Sequence, residues 1–272
     1  MIATTTESDE AAATGLPRVG AARYVLALRE GGSLPGIIEG DDGRLWVGKF
    51  RGAGQGAGAL VAEVVAGALA RTLGLPMPEL VVLTLPPRFG ITDGDPEVNE
   101  LLAASVGDNL GMGFLAQALG YDPAARVPVD GALAARIVAF DVLVANVDRT
   151  FRNPNLLWAD GRLWLIDHGA ALYWQHGWQG DLTNATAPLP RLAEHVLLPL
   201  ADDLAAAAAW LERAADDDAL TAAVAAVPDA WLEVGPDGAA ARRAAFVARL
   251  QVRRAALPTL VVDPRPERSG TP

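Results

Sequence analysis

Residues 146–169 read Asn-Val-Asp-Arg-Thr-Phe-Arg-Asn-Pro-Asn-Leu-Leu-Trp-Ala-Asp-Gly-Arg-Leu-Trp-Leu-Ile-Asp-His-Gly. Asp148 follows an apolar helical pattern and falls on irregular chain, where a carboxylate can accept a proton from a hydroxyl or orient it. Asn153 and Asp167 offer oxygens to a hard cation. Mg²⁺ takes few protein oxygens and completes its shell with phosphates and water. One base and two such ligands form the minimal set for moving a phosphoryl group onto a hydroxyl. Taken singly, each residue is an ordinary turn former: Asp148 at a helix end, Asn153 before Pro154, and Asp167 before His168-Gly169. Taken together around one short hairpin, they argue for chemistry.

Such a site also needs a cation for phosphate oxygens. Lys49 is the only lysine among 22 Lys and Arg residues. Arginine-rich coding explains why lysine is scarce, but not why this one is kept. Its compact ammonium suits a tight phosphate site that a guanidinium does not fit. Glu63 lies in the helical segment that follows. It could hold that ammonium in place, or stand on a solvated helix face. Gly31-Gly32-Ser33-Leu34-Pro35-Gly36 could cover phosphates, with Gly32 and Gly36 allowing close backbone approach and Ser33 adding a hydroxyl, or be a plain hairpin turn. The run from Gly52 to Gly58 fits neither Gly-x-Gly-x-x-Gly, because Ala57 takes the last place, nor the Walker pattern, and reads as a mobile connection.

The elements that must carry these residues can be read from periodicity. Strands are expected at 22–29, 37–38, 44–50 and 80–85, with a hairpin at Asp41-Asp42-Gly43. A helix is expected at 59–73, ended by Gly74 and Pro76. Beyond Pro86–Pro96 the pattern turns helical: short helices at 97–105 and 112–119 around a Gly-rich turn at 107–111, then an apolar helix at 131–146. Strands at 155–158 and 162–166 meet at Asp160-Gly161. Helices at about 191–214, 216–226 and 238–255 complete the pattern. The expected division is a tail (1–15), a β-rich small lobe (16–96), a helical lobe (97–257) and a second tail (258–272). Asp141, inside the apolar helix, needs a partner and is expected to brace the loop through Arg149 or Arg152. His168 is expected to fix its turn, and Trp158, Trp164, Trp174 and Trp178 to pack.

The bulk properties exclude several classes. The 272 residues are 51% hydrophobic, enough for a substantial core, without a run long and apolar enough to span a membrane. There are no cysteines, and the three histidines have no zinc-type spacing, which leaves disulfide and thiolate chemistry out and points to the cytoplasm. The N-terminus lacks the basic start and apolar stretch of a signal peptide. A net charge of −11 argues against general nucleic-acid binding.

The chain resembles the HipA-like kinases, an atypical branch of the protein-kinase fold, in a shorter actinobacterial-type form. The resemblance rests on Gly-Gly-Ser-Leu-Pro-Gly (31–36), Val-Gly-Lys-Phe-Arg-Gly (47–52), Glu63 before Leu-Gly-Leu-Pro (73–76), the run 146–155, and Leu-Ile-Asp-His-Gly-Ala-Ala (165–171). The Asp148-Arg149 pair is also similar to the catalytic loop of type II phosphatidylinositol 4-kinases. The resemblance implies a two-lobed α+β kinase-like fold and transfer from ATP with Mg²⁺. Asp148 would match the catalytic aspartate, Asn153 and Asp167 the metal ligands, and Lys49 the nucleotide lysine. Thr150 stands where the toxin branch has a loop histidine, which argues against that branch's aminoacyl-tRNA synthetase substrate. The expected acceptor is a protein hydroxyl. The alternatives are a pseudokinase that binds without turnover, and a lipid or small-molecule phosphotransferase; the small-molecule group usually has His where this chain has Asn146.

Overall fold

The structure, a computed structural model, describes residues 15–28, 34–90, 95–175, 180–232 and 238–265. Strands β1 (Arg18–Ala27), β2 (Gly36–Gly40) and β3 (Leu45–Lys49) form an antiparallel meander. The β2–β3 turn works because Gly43 takes a positive φ of 74° and Asp42 accepts from the Arg44 N–H at 3.0 Å. Helix α1 (Gly56–Thr72) follows and ends at Gly74, again at positive φ. Then come β4 (Leu80–Leu85), α2 (Pro96–Ala104), capped by Asp95, and β5 (Gly107–Gly113). β5 pairs antiparallel with both β3 and β4, and β4 pairs parallel with β1, which closes a barrel in the order β1-β2-β3-β5-β4. Ile38, Trp46, Leu83 and Phe50 fill it.

Two expectations fail here. Residues 107–111 are not a turn, and no helix starts at 112. Both belong to β5 or the chain leaving it. The barrel interior is tight: a Cβ at Gly111 would sit 2.7 Å from the Val81 side chain. Asn109 is fully buried, accepting from the Arg51 N–H at 2.9 Å and donating to the Ser105 and Gly107 carbonyls. The small lobe therefore runs through Gly113, past the boundary expected at 96/97.

The larger lobe holds β6 (Leu119–Gly120), α3 (Gly131–Leu143), β7 (Leu156–Ala159) and β8 (Arg162–Leu165), with the strands in the order β6-β7-β8. Helices α4 (Leu204–Ala214), α5 (Asp217–Ala225), α6 (Asp229–Leu232), α7 (Gly238–Ala255) and α8 (Leu257–Leu260) complete it. The single helix expected at 191–214 is broken into short 3₁₀ turns before α4, because Pro199 cannot continue a helix. Asp130, Asp203 and Asp216 cap α3, α4 and α5 through their side chains.

α1 joins the two lobes. Its residues from Leu60 to Gly67 are all buried, with β4 on one side and α5 on another. Gly67 permits the close approach to β4, since a Cβ there would lie 2.6 Å from Leu80 Cδ1. One apolar cluster consequently runs from α1 through α3 to α7 and α8. Among the described residues, no helix is long and apolar enough to cross a membrane.

Candidate active site

β3 delivers Lys49 at its C-terminal end, where the barrel meets α1. The Lys49 ammonium bonds Glu63 Oε1 and Asp167 Oδ1, the latter at 2.8 Å across 118 residues of sequence. Glu63 is 1% exposed, so it does not stand on a solvated helix face. The helix face that seemed free in the sequence is covered because α1 is buried nearly all round. Asp167 leaves β8 with a left-handed φ of 54°, a conformation Asp tolerates better than most residues.

Charge at this trio is unequally shared. Burial pushes the Glu63 carboxyl up, Lys49 pulls it back, and the neighbouring Asp167 charge adds to the rise, leaving it at about 7. Burial acts against the Asp167 anion, but Lys49 outweighs it and holds the group at about 2. Burial also disfavours the Lys49 ammonium, yet Glu63 and Asp167 together raise its pKa. One Glu63 oxygen, Oε2, is buried without a partner. A small cavity lies beside the trio, walled by Ala53, Gln55 and Gly56 on one side and Gly169 on the other. The segment from Gly52 to Gly58 is thus a wall of the site: the Gly52 N–H donates to Ser105 Oγ at 3.1 Å, and Gln175 donates to the Gly58 carbonyl at 3.0 Å.

The second half of the site is the turn after α3. That helix stops at Leu143, and Ala145 takes a positive φ of 48°. The chain then folds tightly: the Thr150 N–H donates to the carbonyls of Asp148 and Asn153, both at 3.0 Å. Asn153 Nδ2 donates to Asp148 Oδ2 at 2.7 Å, which orients the carboxylate and keeps the Asn153 carbonyl oxygen for another partner. Asp148 and Asn153 are therefore brought together. Lys49, Glu63 and Asp167 form the other group.

Arg149 fastens the two groups. Its side chain is fully buried. It donates to Asp141 Oδ2 at 2.6 Å and to the Asn155 carbonyl, and reaches His168 Nε2 at 2.9 Å. It thereby ties α3 to the chain entering β7 and to the chain leaving β8, next to Asp167. Because a guanidinium only donates, His168 Nε2 is the acceptor. Burial and the nearby Arg149 charge push the His168 pKa down to about 3. The Asp141 carboxylate, although buried, is held well below its usual range by Arg149 and His195. Arg149, not Arg152, is its partner.

The sequence assigns His195 no role. It bonds Asp141 through Nε2 at 3.0 Å and accepts the Leu197 N–H at Nδ1, 3.1 Å away. Its backbone bridges Thr150, so the segment after the 3₁₀ turn at 192–194 is pinned to the underside of the Asp148 turn. No local pattern marks it, since 54 residues separate it from Asp141.

Gly36 lies inside β2, opposite Gly48 and therefore level with Lys49, packed against the Tyr24 ring. Gly32 and Ser33, like Trp178, lie outside the described residues. Trp174 packs beneath Arg249 and Arg253.

A lysine at a strand end, its buried glutamate partner, an aspartate following a strand and an aspartate–asparagine turn, divided between a β-barrel lobe and a helical lobe, match the arrangement of a kinase-type site. The model for the family described as HipA-like kinase matches residues 25–255, and the chain belongs to that family. The protein is thus a kinase-type phosphotransferase. No curated protein matches it in sequence. Among solved structures it is similar to the Helicobacter pylori proinflammatory kinase CtkA, at 11% identity and a TM-score of 0.56, with 90% of this chain and 96% of that one covered. At that identity the likeness concerns the fold.

Proposed function

We propose that the protein transfers the γ-phosphoryl group of Mg·ATP to a hydroxyl, that of a protein serine or threonine. The observation that carries this reading is the Lys49 ammonium held between Glu63 and Asp167, from three separate elements of two lobes. Lys49 would present its charge to nucleotide phosphate oxygens, with Glu63 fixing its position. Asn153 and Asp167 would hold Mg²⁺. One amide oxygen and one carboxylate are too few for an all-protein cage and suit a metal shared with phosphates. The metal, when bound, supplies neutralisation of the phosphate charge. Gly32, Ser33 and Gly36 would close over the phosphates.

Asp148 would receive the acceptor proton. As the hydroxyl oxygen forms its bond to phosphorus, its O–H bond breaks toward the carboxylate oxygen not engaged by Asn153, and ADP leaves. Arg149 acts only on position, since it is buried away from solvent. Most of the rate would come from alignment and charge, because phosphoryl transfer asks little covalent chemistry of the enzyme. A protein acceptor is supported by the open surface at the turn: Phe151, three residues after Asp148, is 50% exposed. A cysteine-free chain suits the cytoplasm, where Mg·ATP is plentiful.

The test is to incubate the pure protein with γ-labelled ATP and Mg²⁺ beside Asp148→Ala and Asp167→Ala. Label on the wild type alone supports the reading. No label, together with no thermal shift on adding Mg·ATP, sinks it. Label that requires added lipid or aminoglycoside moves the acceptor away from protein.

A further inference from the structure

A larger cavity, of 440 Å³, opens on the other side of the lobe junction from Lys49. That volume is in the range of small-molecule sites. Its floor is apolar, built from Leu75, Pro76, Met77 and Pro78 in the α1–β4 connection and from Gly113 at the end of β5. Its rim carries Arg44, Arg71 and Arg162 with Glu79 as the one acid, two positive charges in excess on a chain whose net charge is −11.

Those arginines are not equally engaged. Arg44 pairs with Glu79 at 2.7 Å and lies over the Trp46 ring. Among the described residues Arg71 donates to the Met77 carbonyl alone, at 3.2 Å. Arg162 stacks 3.9 Å from the centre of the Trp164 ring and makes no ion pair among the described residues. A guanidinium stacked on a ring keeps its in-plane donors for an anion. Trp164 also lines the cavity, and its indole Nε1 is buried without a hydrogen-bond partner.

The architecture gives the cavity a reach. Arg44 immediately precedes β3, which ends at Lys49. Arg71 is in the last turn of α1, which carries Glu63 two turns earlier. Arg162 and Trp164 lie on β8, which runs out to Asp167. The Leu165 N–H donates to the Pro76 carbonyl at 2.7 Å, and the Phe114 N–H to the Leu45 carbonyl at 3.1 Å, so the walls are stitched to one another. The elements that present the Lys49–Glu63–Asp167 trio thus reach this cavity: α1 through Arg71, β8 through Arg162 and Trp164, and β3 through the preceding Arg44.

We propose that it is a second ligand site, for a small organic carboxylate with a flat apolar body. The carboxylate would lie between Arg71 and Arg162, and the body would rest on Met77 and Pro78. Through the shared elements, occupancy would alter nucleotide affinity. That second clause rests on the nucleotide reading above, whereas the binding site does not.

The intact protein is titrated calorimetrically, without nucleotide, with naphthalene-2-carboxylate, the uncharged 2-naphthamide and inorganic phosphate. One equivalent of the carboxylate is expected to bind, with amide and phosphate each weaker by about tenfold or more. Arg162→Glu and Arg71→Glu should each weaken the carboxylate by at least about tenfold, while Lys49→Met leaves it unchanged. Arg162→Gln, with circular dichroism of every variant, covers the case in which charge reversal disturbs folding. No binding of the carboxylate up to about 1 mM, equal binding of the amide, or indifference to the Arg71 and Arg162 changes overturns the site. Loss of binding in Lys49→Met would assign the ligand to the nucleotide cleft instead, and also overturns it. A nucleotide-analogue affinity that is the same with and without the carboxylate overturns the coupling alone, because linkage requires a reciprocal shift.

Discussion

Replacing Asp141 by alanine strands a guanidinium in the core. Arg149 and Asp141 have side chains with no solvent exposure, so water neither screens the pair nor takes over when one partner goes. Asp141 accepts from Arg149 Nε at 2.6 Å and from Asn146 Nδ2 and His195 Nε2, both at 3.0 Å. Removing one partner of a buried ion pair typically costs about 3–5 kcal/mol, a large share of the roughly 5–15 kcal/mol that holds a domain. Arg149→Met should cost less, because Asp141 keeps its two other donors and can take up a proton. In the double variant Asp141→Ala/Arg149→Met no charge is stranded. Its loss should fall short of the summed single losses by about 2 kcal/mol or more. It will not reach the wild type, because the Asn155 carbonyl and His168 also lose a donor. Urea unfolding followed by circular dichroism gives all four stabilities, provided the denaturant slope is constant. A loss below about 1 kcal/mol for Asp141→Ala, or additive single effects, would refute the buried counter-ion argument.

Further outcomes follow from the site and its supports. Lys49→Met should lower phosphoryl transfer by at least about 100-fold and weaken Mg·ATP binding, as read by label transfer and calorimetry. In the unfolded chain Glu63 and His168 titrate near 4.5 and 6.5, but in the fold they sit at about 7 and about 3. Between pH 4.5 and 6.5 the fold keeps a proton on Glu63 that the unfolded chain has released, so this stabilisation falls as pH rises. Over the same window the unfolded chain carries a proton on His168 that the fold lacks, so stability from this group rises with pH. The two slopes, each about 1.4 kcal/mol per unit, oppose each other. Glu63→Gln should therefore expose the His168 slope, with the urea midpoint climbing from pH 4.5 to 6.5; a flat profile in that variant contradicts the assignment. Gly67→Ala should change stability by no more than about 1 kcal/mol, because the Leu80 and Met77 side-chain ends must shift while alanine gains about 1 kcal/mol of helix propensity, measured by the same unfolding.

The polar residues of the Asp148–Asp167 stretch were legible because they interrupt apolar runs whose strand and helix periods are clear. β4 was read at its observed bounds for the same reason. β5 was not, because Gly107, Asp108, Asn109 and Gly111 are turn formers by local preference, and only a closed five-stranded barrel makes small residues and a buried Asn necessary there. Glu63 reads two ways in the sequence, since helix periodicity reports one covered face, whereas α1 is covered nearly all round. The Asp141–Arg149 brace is one of the two pairings expected for Asp141, but His195 and the Arg149 contacts to Asn155 and His168 are beyond reach: they depend on how distant segments return under the turn, and no local pattern encodes that return.

The central claim is that Asp148 serves the transfer step rather than nucleotide binding. It is tested most directly by comparing wild type and Asp148→Asn in two measurements on one preparation: calorimetric affinity for Mg·ATP and the rate of label transfer from γ-labelled ATP. The account predicts affinity within about threefold and transfer reduced by at least about 100-fold. Transfer retained within about tenfold, or affinity lost together with transfer, would contradict it.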